Sequence, residues 1–299
     1  MILAITGGTG FVGSHLIDHA LETGHTIRAL ARKPQAKRTG VTWIEGALDR
    51  PMSLGKLVEG ADVVIHVAGV VNVPDRVAFA AGNIAGTEAI LKATRLSGIR
   101  RFVHVSSLAA REPALSNYGW SKAEAETRVQ ASGLDWTIVR PPAIFGPRDH
   151  ELLDVFKAAR TGYLPMPPAG TRVSLLYVED LTALLLALAE TPAAPSIMEP
   201  DDGVPNGWDN RDFARAIGVA VGKSVKVFST PRALLQLASA ADRLVRRRKA
   251  KLTRDRVSYF CHPDWVSHAP PPPALWTPAV PTPQALAQTA AWYRAAGLL

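Results

Sequence analysis

The sequence has very little cysteine and lacks any long uninterrupted run of apolar residues. Its 299 residues contain one cysteine, Cys261, which excludes an internal disulfide framework and fits a reducing compartment. The longest apolar segment, residues 181–189, is far too short to cross a bilayer as a helix. No basic region precedes the first apolar run, so we expect no signal peptide. These absences predict a cytoplasmic protein without a membrane span.

Acidic residues are fewer than basic ones, 26 against 34, which gives a formal net charge of +8 at pH 7. Much of the excess lies in residues 243–256. Their basic residues are Arg243, Arg246, Arg247, Arg248, Lys249, Lys251, Arg254 and Arg256. A solvated helical face and a site for an anionic surface both fit this run. Because no aromatic residue interrupts it, we favour the solvated face and expect no nucleic-acid partner.

The stretch TGGTGFVG at residues 6–13 follows a strand-like apolar run and precedes a helix-like pattern. Glycine can take a positive φ and lets another group approach the backbone closely. A helix that starts directly after such a turn presents its backbone N–H groups to an anion. The stretch therefore predicts a dinucleotide phosphate site. The residues assigned to it are Gly7, Thr9, Gly10, Phe11, Val12 and Gly13.

The end of the second predicted strand indicates which dinucleotide is bound. NAD-binding proteins usually place an acidic residue there for the ribose 2′-hydroxyl, whereas a 2′-phosphate needs cations. The sequence here is RALARKP, with Arg28, Arg32 and Lys33 and no acidic residue. We therefore expect NADP(H) to be preferred over NAD(H), with Arg32 and Lys33 as the phosphate ligands.

Strand-like and helix-like segments alternate through the first half of the chain. Strands are predicted at 26–31, 41–45, 62–67, 102–106 and 136–140, with clear helical patterns at 82–97 and 118–132. This alternation predicts an α/β fold with a doubly wound parallel sheet. We expect a cofactor domain over 1–142, rejoined by 172–190 with a strand at 173–178. Residues 143–299 would form a smaller, discontinuous part that binds a small-molecule substrate.

The segment VHVSSLAAREPALSNYGWSK, residues 103–122, carries the candidate chemistry. Tyr118 and Lys122 are four residues apart, so they share one face of a helix. A nearby ammonium favours the phenolate and makes a tyrosine a better acid–base group near neutral pH. Ser106 and Ser107 follow a predicted strand, where a hydroxyl can bind a substrate oxygen. These residues predict proton transfer at a carbonyl or alcohol.

The glycine stretch, Ser107, the YxxxK spacing of Tyr118 and Lys122, and RPPAIFGP at 140–147 occur in this order over most of the chain. Together they resemble the extended short-chain dehydrogenase/reductase family, which includes NAD(P)-dependent epimerases and dehydratases. The resemblance implies a Rossmann-type fold in which Tyr118 transfers a proton, Lys122 also holds the nicotinamide ribose and Ser107 orients the substrate. It adds Asn83 to the catalytic set. Further implied cofactor contacts are Ala47, Leu48, Val67, Ala68, Gly69, Tyr118, Lys122, Pro141, Ala143 and Ile144.

Three departures from the family pattern bear on the cofactor and the substrate, and the first of them removes a side-chain contact to the adenine. Ala47 stands where the family usually has an aspartate, and Phe145 replaces the usual tyrosine of RPxxxYGP. The interval from Ser107 to Tyr118 is shorter than in the nucleotide-sugar epimerases of the family. A shorter loop over the substrate disfavours a sugar nucleotide.

We therefore expect an NADP(H)-dependent oxidoreductase that transfers hydride to or from a carbonyl or secondary alcohol of a small, largely apolar substrate. A nucleotide-sugar epimerase or dehydratase and a non-catalytic NADP(H)-binding sensor or assembly factor are the alternatives. The expected apolar cleft lining is Ile144, Phe145, Tyr163, Leu164 and Met166, and the cations available to a sugar diphosphate are Arg148 and Arg172.

Histidine, cysteine and carboxylate residues show no metal-ligand spacing, so no metal is expected. His66 and His104 lie inside apolar strands and are predicted to be core or strand-end residues. A homodimer is compatible with the sequence.

Overall fold

The computed structural model describes residues 1–191, 194–246 and 254–299, and the chain divides into two compact units. The first unit comprises Met1–Pro141, Leu181–Glu199 and Pro271–Trp276. The second comprises Pro142–Asp180, Pro200–Pro270 and Thr277–Leu299. Part of the basic run of residues 243–256, namely 247–253, lies outside the described residues.

The strands in chain order are β1 (Ile2–Thr6), β2 (Thr26–Ala31), β3 (Val41–Glu45), β4 (Val63–His66), β5 (Arg101–Val105), β6 (Asp135–Val139), β7 (Ala143–Phe145), β8 (Tyr163–Met166), β9 (Arg172–Val173), β10 (Leu175–Tyr177), β11 (Ser196–Met198), β12 (Trp208–Asp209), β13 (Lys226–Ser229) and β14 (Asp264–Trp265). The helices are α1 (Phe11–Glu22), α2 (Pro51–Val58), α3 (Arg76–Phe79), α4 (Gly86–Leu96), α5 (Asn117–Gln130), α6 (Leu153–Arg160), α7 (Val178–Glu190), α8 (Asn210–Val221), α9 (Arg232–Arg246), α10 (Arg254–Phe260) and α11 (Thr282–Ala295). A π-helical turn, Ala80–Ala85, precedes α4, and a 3-10 turn, Leu108–Arg111, precedes α5.

A seven-stranded parallel sheet in the order β11-β6-β5-β4-β1-β2-β3 forms the centre of the first unit. The strand order reverses beside β1, which has β2 on one side and β4 on the other. In doubly wound sheets the ligand crevice lies at the carboxyl ends of the strands at such a reversal. The predicted Rossmann-type fold is confirmed, and the glycine stretch follows the strand at the reversal.

The helices of the first unit pack on the sheet through apolar faces. One core cluster joins Leu54 and Leu57 of α2 and Ile90 of α4 to Phe102 and Ile138 of the sheet, all fully buried. Burying such side chains stabilises each by about 1.5–3 kcal/mol relative to exposure. The core therefore fixes the strand ends that carry the candidate site.

The prediction that a strand at 173–178 rejoins the main sheet is wrong. β9 pairs with β12 and β14, and β10 pairs with β7, all within the second unit. The seventh strand of the main sheet is β11, which pairs with β6. The apolar run from residue 173 is interrupted by Ser174, whose hydroxyl donates to Asp201 and so belongs to the interior of the second unit. Two short strands with different partners result.

The second unit has small sheets and its own apolar interior. The pair β8 and β13 forms a further two-stranded sheet, and α8 packs against α6 and α11. Phe156 of α6 meets Tyr293 of α11 edge to face at 5.1 Å, and both are fully buried.

Of the five residues expected to line an apolar cleft, three are buried in the second unit: Phe145, Leu164 and Met166. Phe145 is fully buried against Tyr177, and Leu164 is buried as well. The side chains of Phe145 and Leu164 expose no surface to a ligand, because each packs from its short strand into the core of the second unit. Among the described residues, no helix is both long and apolar enough to span a membrane.

Candidate active site

The glycine turn after β1 is packed so tightly that side chains cannot replace its hydrogens. Gly7 has φ +76°, and a Cβ there would come within 2.7 Å of the Ala68 nitrogen. A Cβ on Gly13 would come within 2.1 Å of the Gly7 carbonyl oxygen. Gly10 is the N-cap of α1 and provides no side-chain cap, and the first turn contains no acidic residue. The turn and the start of α1 therefore fit the pyrophosphate of a dinucleotide.

The basic residues around the end of β2 have different roles. Arg28 lies within the strand and donates to the carbonyl oxygens of Lys56 and Leu57, at 2.5 and 3.1 Å. Arg28 thus caps the C-terminus of α2 and is not directed at a cofactor. Arg32 and Lys33 follow the strand and are exposed. Dinucleotide-binding sheets usually recognise the ribose 2′-substituent at this strand end, so the role of these two cations toward a cofactor stays a prediction.

Tyr118 stands in the first turn of α5, whose N-cap Ser116 accepts a hydrogen bond from the Gly119 N–H. Burial raises the pKa of Tyr118, and a side-chain hydrogen bond with Ser107 lowers it in part. Ser107 also accepts from the Ala109 N–H at 3.2 Å, which fixes the start of the 3-10 turn. Burial therefore keeps the phenol protonated near neutral pH, so the expectation that a nearby ammonium makes the phenolate available there is not met. The phenol lies beside a second hydroxyl, that of Ser107. This pair can donate to a substrate oxygen.

Lys122 lies one turn after Tyr118 and is only 4% exposed. Its Nζ donates to the carbonyl oxygen of Val105 at 2.7 Å, at the end of β5. Burial lowers the pKa of Lys122 to about 8, while the carboxylate of Glu126 raises it. A Cβ on Gly69 would lie 3.7 Å from this Nζ. The ammonium is thus held close to the segment that follows β4.

Asn83, in the π-helical turn, ties the segment after β4 to α5. Its side chain accepts from the Val70 N–H at 2.7 Å, donates to the Val70 carbonyl oxygen at 3.0 Å and donates to Ser121 Oγ at 2.9 Å. A π-helical turn is rare and often marks a functional site. These bonds hold Gly69 and Val70 against the helix of Tyr118 and Lys122.

Sequence reasoning missed an ion-pair network beneath the site, centred on Glu126. Glu126 is buried and accepts a short hydrogen bond from Ser106. It also forms a bidentate salt bridge with Arg140, with N–O distances of 2.6 and 3.0 Å. Arg140 also pairs with Glu199 at 3.4 Å, as does Arg111. The sequence contains a pattern that places Glu126 beside the site, because Tyr118, Lys122 and Glu126 are spaced four residues apart and so share one helix face.

His66 and His104 are core residues, as predicted. Their rings stack at 5.3 Å between β4 and β5. His66 bonds to the hydroxyls of Thr6 and Thr87, and burial lowers its pKa to about 3, with Lys122 contributing. Burial lowers the pKa of His104 well below the usual value, and its ring nitrogens have no hydrogen-bond partner in the described part of the chain. Both rings are neutral at physiological pH.

The remaining predicted cofactor residues lie at several strand ends. Ala47 and Leu48 follow β3, Val67 and Ala68 follow β4, and Pro141 follows β6. Ala143 and Ile144 are in β7, which belongs to the second unit. Their contacts with a cofactor stay predictions. The first unit brings together the four predicted catalytic residues, Ser107, Tyr118, Lys122 and Asn83.

Comparison with known proteins gives consistent results. The family model for the NAD dependent epimerase/dehydratase family matches residues 3–199. The chain is 35% identical to a ceramide reductase of Caulobacter vibrioides over 310 aligned residues, covering 100% of this chain and 96% of that protein. It is 29% identical to a 2-alkyl-3-oxoalkanoate reductase of Stenotrophomonas maltophilia, and the alignment covers 90% of this chain and 92% of that protein.

A solved structure with the same fold is the UDP-glucose 4-epimerase of Thermus thermophilus in complex with NAD. It superposes with a TM-score of 0.72 over 99% of this chain and 100% of that chain, at 22% identity. The relatives are NAD(P)-dependent reductases and epimerases of the extended short-chain type, so this protein is an NAD(P)-dependent enzyme. From the match over residues 3–199 and the identity along its whole length, we conclude that the chain belongs to the NAD dependent epimerase/dehydratase family.

Proposed function

We propose that the protein uses NADPH to reduce a ketone carbonyl on a long-chain, largely apolar lipid, or catalyses the reverse oxidation of the secondary alcohol. The observation that carries the substrate class is the 35% identity to a ceramide reductase along the full chain. The similarity to a 2-alkyl-3-oxoalkanoate reductase supports it, because that substrate also combines an oxo group with alkyl chains. The expected small apolar substrate is thereby refined to a lipid ketone.

The side chains of the first unit supply the proton chemistry. NADPH, when bound at the glycine turn, would supply the hydride for the carbonyl carbon. Tyr118, kept protonated by burial, donates its phenolic proton to the carbonyl oxygen as negative charge develops there. Ser107, which already bonds to Tyr118, donates to the same oxygen. Lys122 places a positive charge one helical turn away and stabilises the phenolate that remains.

The preference for NADP(H) is part of the proposal. Arg32 and Lys33 are exposed directly after β2, and no acidic residue stands there to bind a ribose 2′-hydroxyl. Two cations would neutralise a 2′-phosphate through charge-assisted hydrogen bonds.

A sugar nucleotide is less well supported as the substrate. Arg172, one of two cations available to a diphosphate, already donates to the carbonyl oxygens of Asn206 and Gly207 at 2.5 and 2.8 Å. Those carbonyls belong to a turn with positive φ at both residues, so the arginine stabilises that turn.

The test is a substrate panel followed through NADPH absorbance. We expect 2-alkyl-3-oxoalkanoates to be reduced, with KM falling as the alkyl chain lengthens because more apolar area is buried. Oxidation of ceramide with NADP⁺ should give the reverse reaction. NADPH without a ketone is the background control.

UDP-glucose is the decisive competitor in the same panel. We expect it neither to be epimerised nor to displace a lipid ketone. Saturable epimerisation of UDP-glucose, together with no turnover of any long-chain ketone, would overturn the proposal in favour of the nucleotide-sugar alternative.

A further inference from the structure

Helix α9 turns its apolar side away from the protein. Leu234, Leu237 and Leu244 are 55%, 68% and 81% exposed, and Ala241 is exposed as well. These positions follow one another at intervals of three or four residues, so they form one stripe along the helix. Soluble proteins normally bury such a stripe against their core.

The side of α9 that faces the protein is more polar than the exposed stripe. Ser239 is buried, and Leu235 and Asp242 are partly buried. The orientation is therefore inverted relative to a surface helix that packs by its apolar face. An exposed apolar stripe of this length marks a surface that meets an apolar phase or a partner.

An exposed aromatic pair lies just before this helix. Phe228 of β13 stacks on Tyr163 of β8 at 5.9 Å, and the two side chains are 51% and 54% exposed. β13 ends at Ser229 and α9 begins at Arg232, so Phe228 precedes the helix by four residues. Aromatic residues next to an apolar helix are typical of segments that lie in a membrane interface.

The charge at the other end of α9 identifies the kind of surface. The basic run of residues 243–256 begins in the last turns of the helix and contains eight arginines and lysines and one acidic residue, Asp255, besides Asp242 just before it. Such a cluster is attracted to anionic phospholipid headgroups. An apolar stripe joined to a basic cluster is the combination that binds a helix in the plane of a bilayer surface.

We propose that α9 binds the surface of a bilayer that contains anionic phospholipids. The leucine stripe enters the boundary between headgroups and acyl chains. The net positive charge that the sequence gives to residues 243–256 strengthens the attraction to an anionic bilayer. The sequence alone favours a solvated helical face for this run. The outward leucine stripe, which only the structure reveals, changes that interpretation.

The test is cosedimentation of the full chain with vesicles, which needs neither substrate nor turnover. We expect binding to vesicles of phosphatidylcholine with phosphatidylglycerol, and much weaker binding to phosphatidylcholine alone or at high salt. The double variant Leu237→Gln, Leu244→Gln should bind at least roughly tenfold more weakly. Neutralising the charge with Arg246→Gln, Arg247→Gln and Arg248→Gln should remove the preference for phosphatidylglycerol.

The matched control is Leu96→Gln together with Val219→Gln, which changes two exposed apolar side chains on α4 and α8, 79% and 78% exposed. This control should bind vesicles like the unmodified chain, and circular dichroism should show all variants folded. Three results would overturn the proposal: no binding, equal binding to both lipid mixtures, or undiminished binding of the leucine variant. The proposal would also be overturned if the chain self-associates without vesicles and the leucine variant does not. A second copy of the chain would then cover the stripe.

Discussion

Lys122 and Glu126 lie one turn apart on α5, and the buried carboxylate of Glu126 opposes the loss of charge that burial imposes on Lys122. Glu126 is fixed in place by Ser106 and Arg140, so its charge has a defined position. The charge of the Lys122 ammonium in the candidate site therefore depends on a carboxylate that is buried one turn further along the helix. Glu126 acts as a positioning residue.

The first prediction is that Glu126→Gln shifts the pH dependence of catalysis. Removing the negative charge lowers the pKa of Lys122 below its value of about 8. The ammonium is then lost at lower pH, so the alkaline limb of the kcat/KM profile should move down by roughly one unit or more. Glu124→Gln is the control, because Glu124 is half-exposed on the same helix and pairs with Arg128. A Glu126→Gln profile that coincides with the unmodified enzyme's contradicts this role.

The second prediction concerns the proton donor. Tyr118→Phe keeps the ring but removes the transferable proton, so turnover should fall by at least roughly 10²-fold while NADPH still binds. Stopped-flow turnover and fluorescence titration of NADPH measure the two effects separately. Tyr293→Phe is the control, because this tyrosine packs on Phe156 in the interior of the second unit. Full turnover of Tyr118→Phe with its lipid ketone would remove the tyrosine from the mechanism.

The third prediction concerns cofactor choice. Arg32→Ala should weaken NADPH binding by roughly tenfold or more and leave NADH binding nearly unchanged, because only the 2′-phosphate loses a charge-assisted partner. Isothermal titration with both dinucleotides gives the ratio. Arg28→Gln should lower stability, because Arg28 caps α2, and should leave the ratio unaltered. An unchanged ratio in Arg32→Ala would refute the assignment.

The fourth prediction compares two glycines. Gly13→Ala should abolish dinucleotide binding, because the new Cβ would meet the Gly7 carbonyl oxygen at 2.1 Å and the turn must open. Gly55→Ala lies inside α2 with open space around it, so it should stabilise the protein by about 0.5–1 kcal/mol. Urea unfolding and NADPH titration of both variants test the contrast. Normal NADPH affinity in Gly13→Ala would show that the turn does not contact the cofactor.

The fifth prediction concerns stability in acid. His66 and His104 stay neutral when folded, because burial lowers both pKa values, but they protonate in the unfolded chain near pH 6.5. The unfolded state therefore binds more protons below that pH, and stability falls as the pH drops toward the folded pKa of about 3 for His66. At pH 5, the low folded-state pKa of His66 alone lowers the free energy of unfolding by about 2 kcal/mol.

His104→Leu removes one group that binds a proton in the unfolded chain only. The slope of the free energy of unfolding against pH should therefore decrease by up to about 1.4 kcal/mol per pH unit. At pH 7 it should be neutral or stabilising, because the unpartnered ring nitrogens are replaced by an apolar group. Urea unfolding at pH 7 and pH 5 measures both effects, with the exposed His268→Gln as control. An unchanged difference between the two pH values would contradict the interpretation.

The sequence was sufficient for features that depend on local pattern. The strands at 26–31 and 41–45 occur at the predicted residues, and the glycine turn follows the first strand. The positions of Tyr118 and Lys122 on one helix also follow from spacing alone. Local periodicity and turn chemistry determine these features, so no distant partner has to be known.

Features that depend on distant partners could not be predicted. The pair Arg140–Glu199 joins residues 59 positions apart. The segment expected as a strand at 173–178 pairs within the second unit, whereas β11 completes the main sheet beside β6. The role of Arg28 depends on how α2 packs, because its side chain donates to the C-terminus of that helix. Phe145 was assigned to a cleft lining, although its burial depends on Tyr177. In each case the tertiary partner, not the local sequence, decides the role.

The return of residues 181–199 to the first unit has a consequence for how much of this chain can fold independently. A fragment that ended at Pro141 would leave β6 as an open sheet edge, available for pairing with other chains. It would also leave Arg111 and Arg140 without Glu199. The cofactor half therefore depends on a segment that follows residue 180 to complete its sheet and its ion pairs, even though its first 141 residues are contiguous.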